Sequence, residues 1–372
     1  MAINFLSVIN TGLFFLIGIL AVFIVTIASR KIIKRRRIRK SVEAVWESEK
    51  DFFLEDVKNK IKDWSVTILI AAYNEEKGIR RCIESCLRQT RQADKIVVVN
   101  DGSKDRTKEI LESFGKQIRV INLPFNTGNK SRAQEIGIQY IDTDIFVTTD
   151  GDTELDRNFI KEILKSFDDH NISAVSGFVE SKRNNWITRV REINYLVGQT
   201  IYKKAQEAVD AIFVICGCAA AFKTKDFKKY ARFDHDNVTE DLDFTYQLKL
   251  AGKKITFNDK AIVYTQDPNN LGSYFKQLYR WYSGGWACLK KNLSILKKPN
   301  NALILSPLYL EGLVVGGIVL LAPLLILFGI EYFLYYLFLQ FMLTALIVSY
   351  GAFRFRRYDV FLYIQQDRKS VV

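Results

Sequence analysis

The sequence predicts an α/β domain with a mostly parallel central sheet, joined to about three transmembrane helices. Two observations carry this. Short β-branched apolar runs alternate with helical patterns between residues 64 and 292, and three long apolar stretches flank that region. A chain of 372 residues suits one catalytic-sized domain plus membrane segments.

The first stretch, 4–28, carries no charge. About 20 helical residues cross a bilayer core, so it is long enough. A cleaved signal peptide is the rival reading, but the positive charge follows the apolar run and no small-residue cleavage site precedes it. It reads as a retained anchor. Eight basic residues follow between Arg30 and Lys40 and contribute much of the net charge of +13. Beside a span they hold that flank in the cytoplasm and attract anionic headgroups, which favours a lipid bilayer over nucleic acid as the partner. Two further spans fit at 303–328 and 332–353, with Arg354, Arg356 and Arg357 after the second. The positive flanks agree on one topology in the cell membrane: N-terminus outside, 30–300 cytoplasmic, an outside turn at 329–331 and the C-terminus inside. Glu311 inside the second span reads equally as lining a polar passage or as snorkelling.

The chain thus divides into an anchor (1–29), a basic juxtamembrane linker (30–63), a cytoplasmic domain (64–292), a linker (293–302), two C-terminal helices (303–353) and a cytoplasmic tail (354–372). Five cysteines fall in the cytoplasmic part, where thiols stay reduced. Their spacing fits no zinc site, and Cys82 and Cys86, four apart on a helical pattern, read as core.

Within the domain, Val66–Ala72, Lys95–Asn100, 118–122 and 145–149 read as strands, and 77–89, 105–114 and 130–140 as helices. Continuous rather than alternating apolar strands fit a sheet covered on both faces. In such sheets ligands bind beyond the carboxyl ends of the strands. Tyr73-Asn74-Glu75, Asp101-Gly102-Ser103 and Asp150-Gly151-Asp152 each follow a strand, so three strands deliver carboxylates to one edge. Turn-making or helix-capping explains any one of these, but not three in one half-domain. Two carboxylates flanking a glycine converge readily on a hard cation, which points to Mg²⁺ or Mn²⁺. Thr239-Glu240-Asp241 adds acid at the start of an amphipathic segment, where serving the helix dipole is the plain alternative. Gln277-Leu278-Tyr279-Arg280-Trp281 then joins an amide, a cation and an indole on one helical turn. Arginine suits a diphosphate and tryptophan a sugar ring; an interfacial amphipathic helix, with Tyr274, Phe275, Tyr282 and Trp286, is the alternative.

Taken in order, these elements resemble the processive inverting members of glycosyltransferase family 2, the group of cellulose, chitin, hyaluronan and poly-N-acetylglucosamine synthases, over about 64–292. The resemblance implies a GT-A (nucleotide-diphospho-sugar transferase) fold and inverting transfer from a UDP-sugar to a growing polysaccharide, with N-acetylglucosamine expected first and glucose next. It implies that Tyr73, Glu75 and Asp101 hold the nucleotide. Lys130, in Thr127-Gly128-Asn129-Lys130-Ser131-Arg132-Ala133, faces it too, though Asn129 interrupts the commoner Gly-Lys pair. Asp150 approaches the ribose or the metal, Asp152 ligates the metal, and Asp241 is the catalytic base with Glu240 beside it. Gln277, Arg280 and Trp281 meet the diphosphate and the glycan acceptor, and Cys218, in Cys216-Gly217-Cys218-Ala219, lines the acceptor site. Other members carry more C-terminal helices, so the resemblance also implies a homo-oligomer or an export partner to complete a passage.

Three rival functions remain open on the sequence. A single-transfer polyprenyl-phosphate glycosyltransferase shares the first motifs, but the Gln277-to-Trp281 element argues against it. A non-catalytic membrane scaffold or receptor predicts lost acidic residues, yet all are present. A membrane nucleotide-binding regulator hydrolysing ATP or GTP is disfavoured because no Walker-type phosphate loop occurs.

Overall fold

The computed structural model describes residues 64–182 and 184–355, without the side chains of part of 311–355. The anchor expected at 4–28, the basic run at 30–40, the tail from 356 and the side chain of Glu311 lie outside the described residues.

The four apolar runs form strands β1 (Val66–Ala72), β2 (Lys95–Asn100), β3 (Arg119–Asn122) and β4 (Ile145–Asp150). They pair in parallel in the order β3-β2-β1-β4. Helices α1 (Ile79–Leu87), α2 (Thr107–Glu112) and α3 (Lys130–Ile138) make the connections. The centres of β1, β2 and β4 are apolar because both faces are covered. Val66, Ile68 and Ile70 pack with Ile79, Cys82, Ile83 and Cys86 of α1 on one face. Leu69, Val97, Val99 and Phe146 pack with Ala133 and Ile138 of α3 on the other. Cys82 and Cys86 are free, fully buried core thiols, as their spacing predicts.

Beyond β4 the chain continues through β5 (Glu154–Leu155), α4 (Phe159–Leu164), β6 (Ile172–Ser181), α5 (Trp186–Val197), α6 (Lys204–Ala208), β7 (Ala220–Lys223), α7 (Thr224–Tyr230), α8 (Glu240–Leu250) and β8 (Lys254–Thr265). The eight strands run β3-β2-β1-β4-β7-β6-β8-β5. The sheet is mixed rather than mostly parallel, since β7 lies antiparallel between β4 and β6 and β5 antiparallel beside β8. Pairing in this half joins distant segments, which local alternation does not encode; β7 is only four residues long.

A phenylalanine cluster fixes β7 against β4 and α8. The Phe222 ring centroid lies 5.0 Å from that of Phe146, 4.9 Å from Phe227 and 5.1 Å from Phe244. Phe222 is fully buried, so Phe222→Ala should lower the free energy of unfolding by about 3–5 kcal/mol, read from the denaturant midpoint.

Helix α9 (Leu271–Lys291) carries the Gln277–Trp281 turn. A third apolar cluster, with Leu242 and Tyr246 of α8, Cys288 and Leu289 of α9 and Leu305, ties the helices that follow to the domain. Residues 293–302, expected as a linker, contain a 3₁₀ turn at Leu293–Lys297 with Ile295 fully buried. Two C-terminal helices follow, α10 (Pro299–Leu321) and α11 (Ile330–Phe355). Where the sequence predicts one helix to 328, α10 gives way after Leu321 to a 3₁₀ stretch, Ala322–Phe328. Pro323, at its start, has no N–H to give and its ring crowds the preceding turn. Among the described residues no helix is long and apolar enough to cross a membrane.

Candidate active site

The loops after β1 and β2 are locked together by backbone N–H groups that donate to side-chain oxygens across the gap. The Asn74 N–H donates to Ser103 Oγ (3.0 Å) and the Glu75 N–H to Thr107 Oγ1 (2.8 Å), while Asn74 Oδ1 accepts from the Lys104 N–H (2.9 Å). Asn74 adopts φ +56°, the left-handed turn that asparagine tolerates and that throws Glu75 inward. Tyr73 is 41% exposed and lines a pocket of about 750 Å³ with Gly102, Ser103 and Phe125.

Asp101 is buried, and its carboxylate accepts from the Thr127 N–H (2.9 Å), the Thr127 hydroxyl (2.9 Å) and Asn126 Nδ2 (3.2 Å). It therefore shapes the wall of the pocket by fixing the loop that leads to Lys130. Asn129 caps α3 by accepting from the Ser131 N–H (2.8 Å), so the residue interrupting the Gly-Lys pair has a structural task.

Lys130 is the electrostatic centre. Its ammonium lies 2.5 Å from Asp150 Oδ1 and 2.9 Å from Glu240 Oε1, bridging the end of β4 to the start of α8. Burial works against its charge, but Asp150 and Glu240 hold it well above the usual lysine range. Asp241 follows Glu240 on the first turn of α8, where Oδ1 accepts from the Leu242 N–H (2.9 Å). Burial and then the Glu240 charge push Asp241 up to about 6, with Lys130 opposing. The Cys216–Ala219 segment passes over β4, its Gly217 carbonyl accepting from Thr148 Oγ1 (2.7 Å). Burial and then the Asp150 charge push the Cys218 thiol well up, so it is a neutral wall group.

On the other side of Asp150, burial and then Asp152 and Asp150 push Glu75 up to about 7. Burial and then Asp150 push Asp152 up to about 6. A cleft of about 540 Å³ lies here, lined by Glu75, Asp152, Asp267 and Gln277 among others. Gly78 sets the depth of Asp152: a Cβ there would come within 2.9 Å of the Asp152 Cα. Among the described residues no three His, Cys, Asp or Glu side chains are gathered to hold a metal ion. The chemistry of this strand end nevertheless suits one, because the Asp150 charge adds to burial in raising both Glu75 and Asp152, a sign that the spot attracts positive charge, and the side chains offer only hard oxygens.

Gln277 and Trp281 share one face of α9 and turn toward α5. Gln277 Oε1 accepts from Arg191 Nη2 (3.1 Å), and the Arg191 guanidinium lies 4.5 Å from the Trp281 ring centroid. Arg280 points away, exposed, with no side-chain partner among the described residues. Gly284, one turn on, lets α9 close on the Thr239-Glu240-Asp241 turn: a Cβ there would lie 2.6 Å from Thr239 Cγ2. The structure thus brings Glu75, Lys130, Asp150, Asp152, Glu240, Asp241 and Cys218 to one end of the sheet, with Gln277 on the adjoining cleft. Tyr73 and Asp101 stand on its pocket side and Arg280 outside the contacts.

Sequence reasoning missed Arg191, Asp267, Gly78 and Gly284. Arg191 stands in Thr188-Arg189-Val190-Arg191-Glu192, which reads as a solvated helix face. Neither glycine makes a turn signal, because its role is close approach of distant segments.

A pocket beside Tyr73, an acidic strand end and an amide–indole turn at the carboxyl end of an α/β sheet fit the GT-A fold. Residues 67–231 match the family described as Glycosyl transferase family 2. It is similar to poly-beta-1,6-N-acetyl-D-glucosamine synthase of Staphylococcus epidermidis, at 28% identity over 62% of this chain and 59% of that protein. The synthase of the same description from Staphylococcus aureus (strain COL) matches at 27% over 61% and 56% respectively. The chain thus spans less than two thirds of the length of these relatives. In fold it is similar to the mannosyltransferase PcManGT from Pyrobaculum calidifontis, solved with GDP-Man and Mn²⁺ (TM-score 0.55, 17% identity, 86% of this chain and 97% of that one).

Proposed function

We propose that this chain is a membrane-bound inverting glycosyltransferase that moves N-acetylglucosamine from its UDP donor to the growing end of a polysaccharide. The observation that carries the reading is the juxtaposition of Asp241, partly buried and with its carboxyl pushed up to about 6, with Lys130 and the acidic strand end. The similarity to poly-beta-1,6-N-acetyl-D-glucosamine synthases supports this choice of sugar and polymer.

In the reaction, a hydroxyl oxygen of the acceptor attacks the anomeric carbon of the donor sugar. The bond from that carbon to the diphosphate oxygen breaks, UDP leaves with the electron pair, and the hydroxyl proton passes to Asp241. Attack opposite the leaving group inverts the anomeric centre. Tyr73 and the Asp101-fixed loop wall the nucleotide pocket. Lys130 pairs with the Asp150 and Glu240 carboxylates beside Asp241 and offsets their charge. Mg²⁺ or Mn²⁺, held by Asp152 with Asp150 and water, would neutralise charge on the departing diphosphate. Arg280 is free to reach the same diphosphate with its planar fork of donors.

Asp152→Asn should therefore abolish the rise in melting temperature that Mn²⁺ plus UDP gives the wild-type chain, measured by thermal unfolding. Wild-type stabilisation by the mutant would show that the cation is held elsewhere.

Membrane attachment rests on the apolar stretches of the sequence and on side chains that a soluble surface rarely carries together. Leu310, Leu313, Leu334, Phe338 and Phe341 are exposed on α10 and α11, and Phe275, Tyr279 and Tyr282 on α9. With the juxtamembrane charge, this favours a catalytic domain on the cytoplasmic side of the cell membrane, where UDP-sugars are made.

A further inference from the structure

Arg191 is 3% exposed, and its guanidinium gathers Gln277 and Trp281 of the α9 turn together with Asp267, Tyr195 and Tyr274. Nε lies 3.5 Å from Asp267 Oδ1, and Nη2 donates to both the Tyr195 hydroxyl (3.1 Å) and Gln277 Oε1 (3.1 Å). The cation also stands over the Trp281 ring at 4.5 Å and the Tyr274 ring at 5.5 Å. The Tyr195 hydroxyl donates to Asp267 Oδ1 (3.1 Å), closing the network.

The chemistry of arginine decides the polarity of this arrangement. A guanidinium only donates, so the Gln277 amide must turn its oxygen to Arg191. Its NH₂ group is then the part left to donate into the cleft that Gln277 lines. Asp267 behaves in the complementary way. Oδ1 is saturated by Arg191 and Tyr195, while Oδ2 has no partner among the described residues, although Asp267 is only 7% exposed and lines the same cleft. An unpaired buried carboxylate oxygen is costly unless a ligand satisfies it. One cleft wall thus offers a fixed donor and a fixed acceptor, the pair that a sugar hydroxyl needs, since it accepts and donates at once.

We propose that Arg191 is a positioning residue for the acceptor subsite, locking Gln277 as a hydrogen-bond donor and Asp267 as a hydrogen-bond acceptor toward a hydroxyl of the incoming glycan and holding Trp281 beside them. The inference rests on the transferase reading above. It names a role for two residues, Arg191 and Asp267, outside every sequence motif.

The test uses the full-length chain in detergent with a short β-1,6-linked N-acetylglucosamine oligosaccharide as probe. Direct binding is measured by intrinsic fluorescence, and donor turnover is followed separately by UDP release. Arg191→Lys keeps a charge against Asp267 but cannot reach three acceptors at once. It should weaken oligosaccharide binding roughly tenfold and raise the acceptor KM in proportion, moving the donor KM less than about twofold. Gln277→Glu retains the contact with Arg191, and with it the fold, but removes the donor. It should weaken binding by a similar factor. Gln277→Glu binding the oligosaccharide as tightly as wild type overturns the inference, as does Arg191→Lys with unchanged acceptor binding. A wild-type chain that releases UDP but does not bind the oligosaccharide also overturns it, while leaving the transferase reading standing. Absence of UDP release from wild type fails that reading first and this inference with it.

Discussion

Asp241→Asn is expected to lower turnover by about 10²–10⁴-fold while leaving the donor KM within a few-fold of wild type. On the proposed mechanism the loss is confined to turnover, because Asp241 would act on the acceptor proton whereas the loops after β1 and β2 would hold the nucleotide. With its carboxyl pushed up to about 6, wild-type kcat/KM should climb as pH rises toward 6 and level off above it. The residual activity of the variant should lack that limb. Stability provides the control. A carboxyl at about 6 in the folded chain and near 4 in the unfolded one binds more protons when folded. Its contribution is favourable below about pH 4 and is lost as pH rises through 6. Asparagine removes that loss, so the variant should melt no lower than wild type at pH 7.5. A variant that melts well below wild type there would tie the lost activity to folding, not to the base.

Lys130→Met has the second largest expected effect, a loss of about 10²-fold in turnover, typical of removing one charge-stabilising group from a site. Its signature is different. Lys130 is the cation that lowers Asp241 and pairs with Asp150 and Glu240. Without it three carboxylates face one another, and the acid limb of the pH–rate profile should move to higher pH. Raising pH should then recover part of the lost rate, which it cannot do for Asp241→Asn. An unshifted limb would mean that Lys130 contacts only the nucleotide, as the resemblance alone implies.

The parallel half of the fold was legible because its rules are local. Each apolar run from Val66 to Asp150 ends at a polar loop, and helices with an apolar face lie between. Cys82 and Cys86 could be placed in the core by spacing alone. The second half was not legible, since β7 inserts between β4 and β6 through long-range pairing that no nearby pattern announces. The same division holds at the site. Carboxylates after strands were found because strand ends are readable, and Gln277 and Trp281 because i and i+4 share a helix face. Lys130 was identified but given only the nucleotide, because its contact with Glu240 spans 110 positions of sequence. Arg191 and Gly284 were invisible for the corresponding reason: the first looks like any surface arginine, and the second matters only for its lack of a Cβ beside Thr239.

The central claim is sugar transfer from UDP-N-acetylglucosamine to a polymer. It is tested most directly by incubating membranes that contain the chain with labelled donor and Mn²⁺ or Mg²⁺, then sizing the product. The account predicts labelled chains that are long even at low conversion, stoichiometric UDP release, and loss of both in excess chelator or in Asp241→Asn. UDP release without labelled glycan, or label confined to a single sugar on lipid, would contradict it.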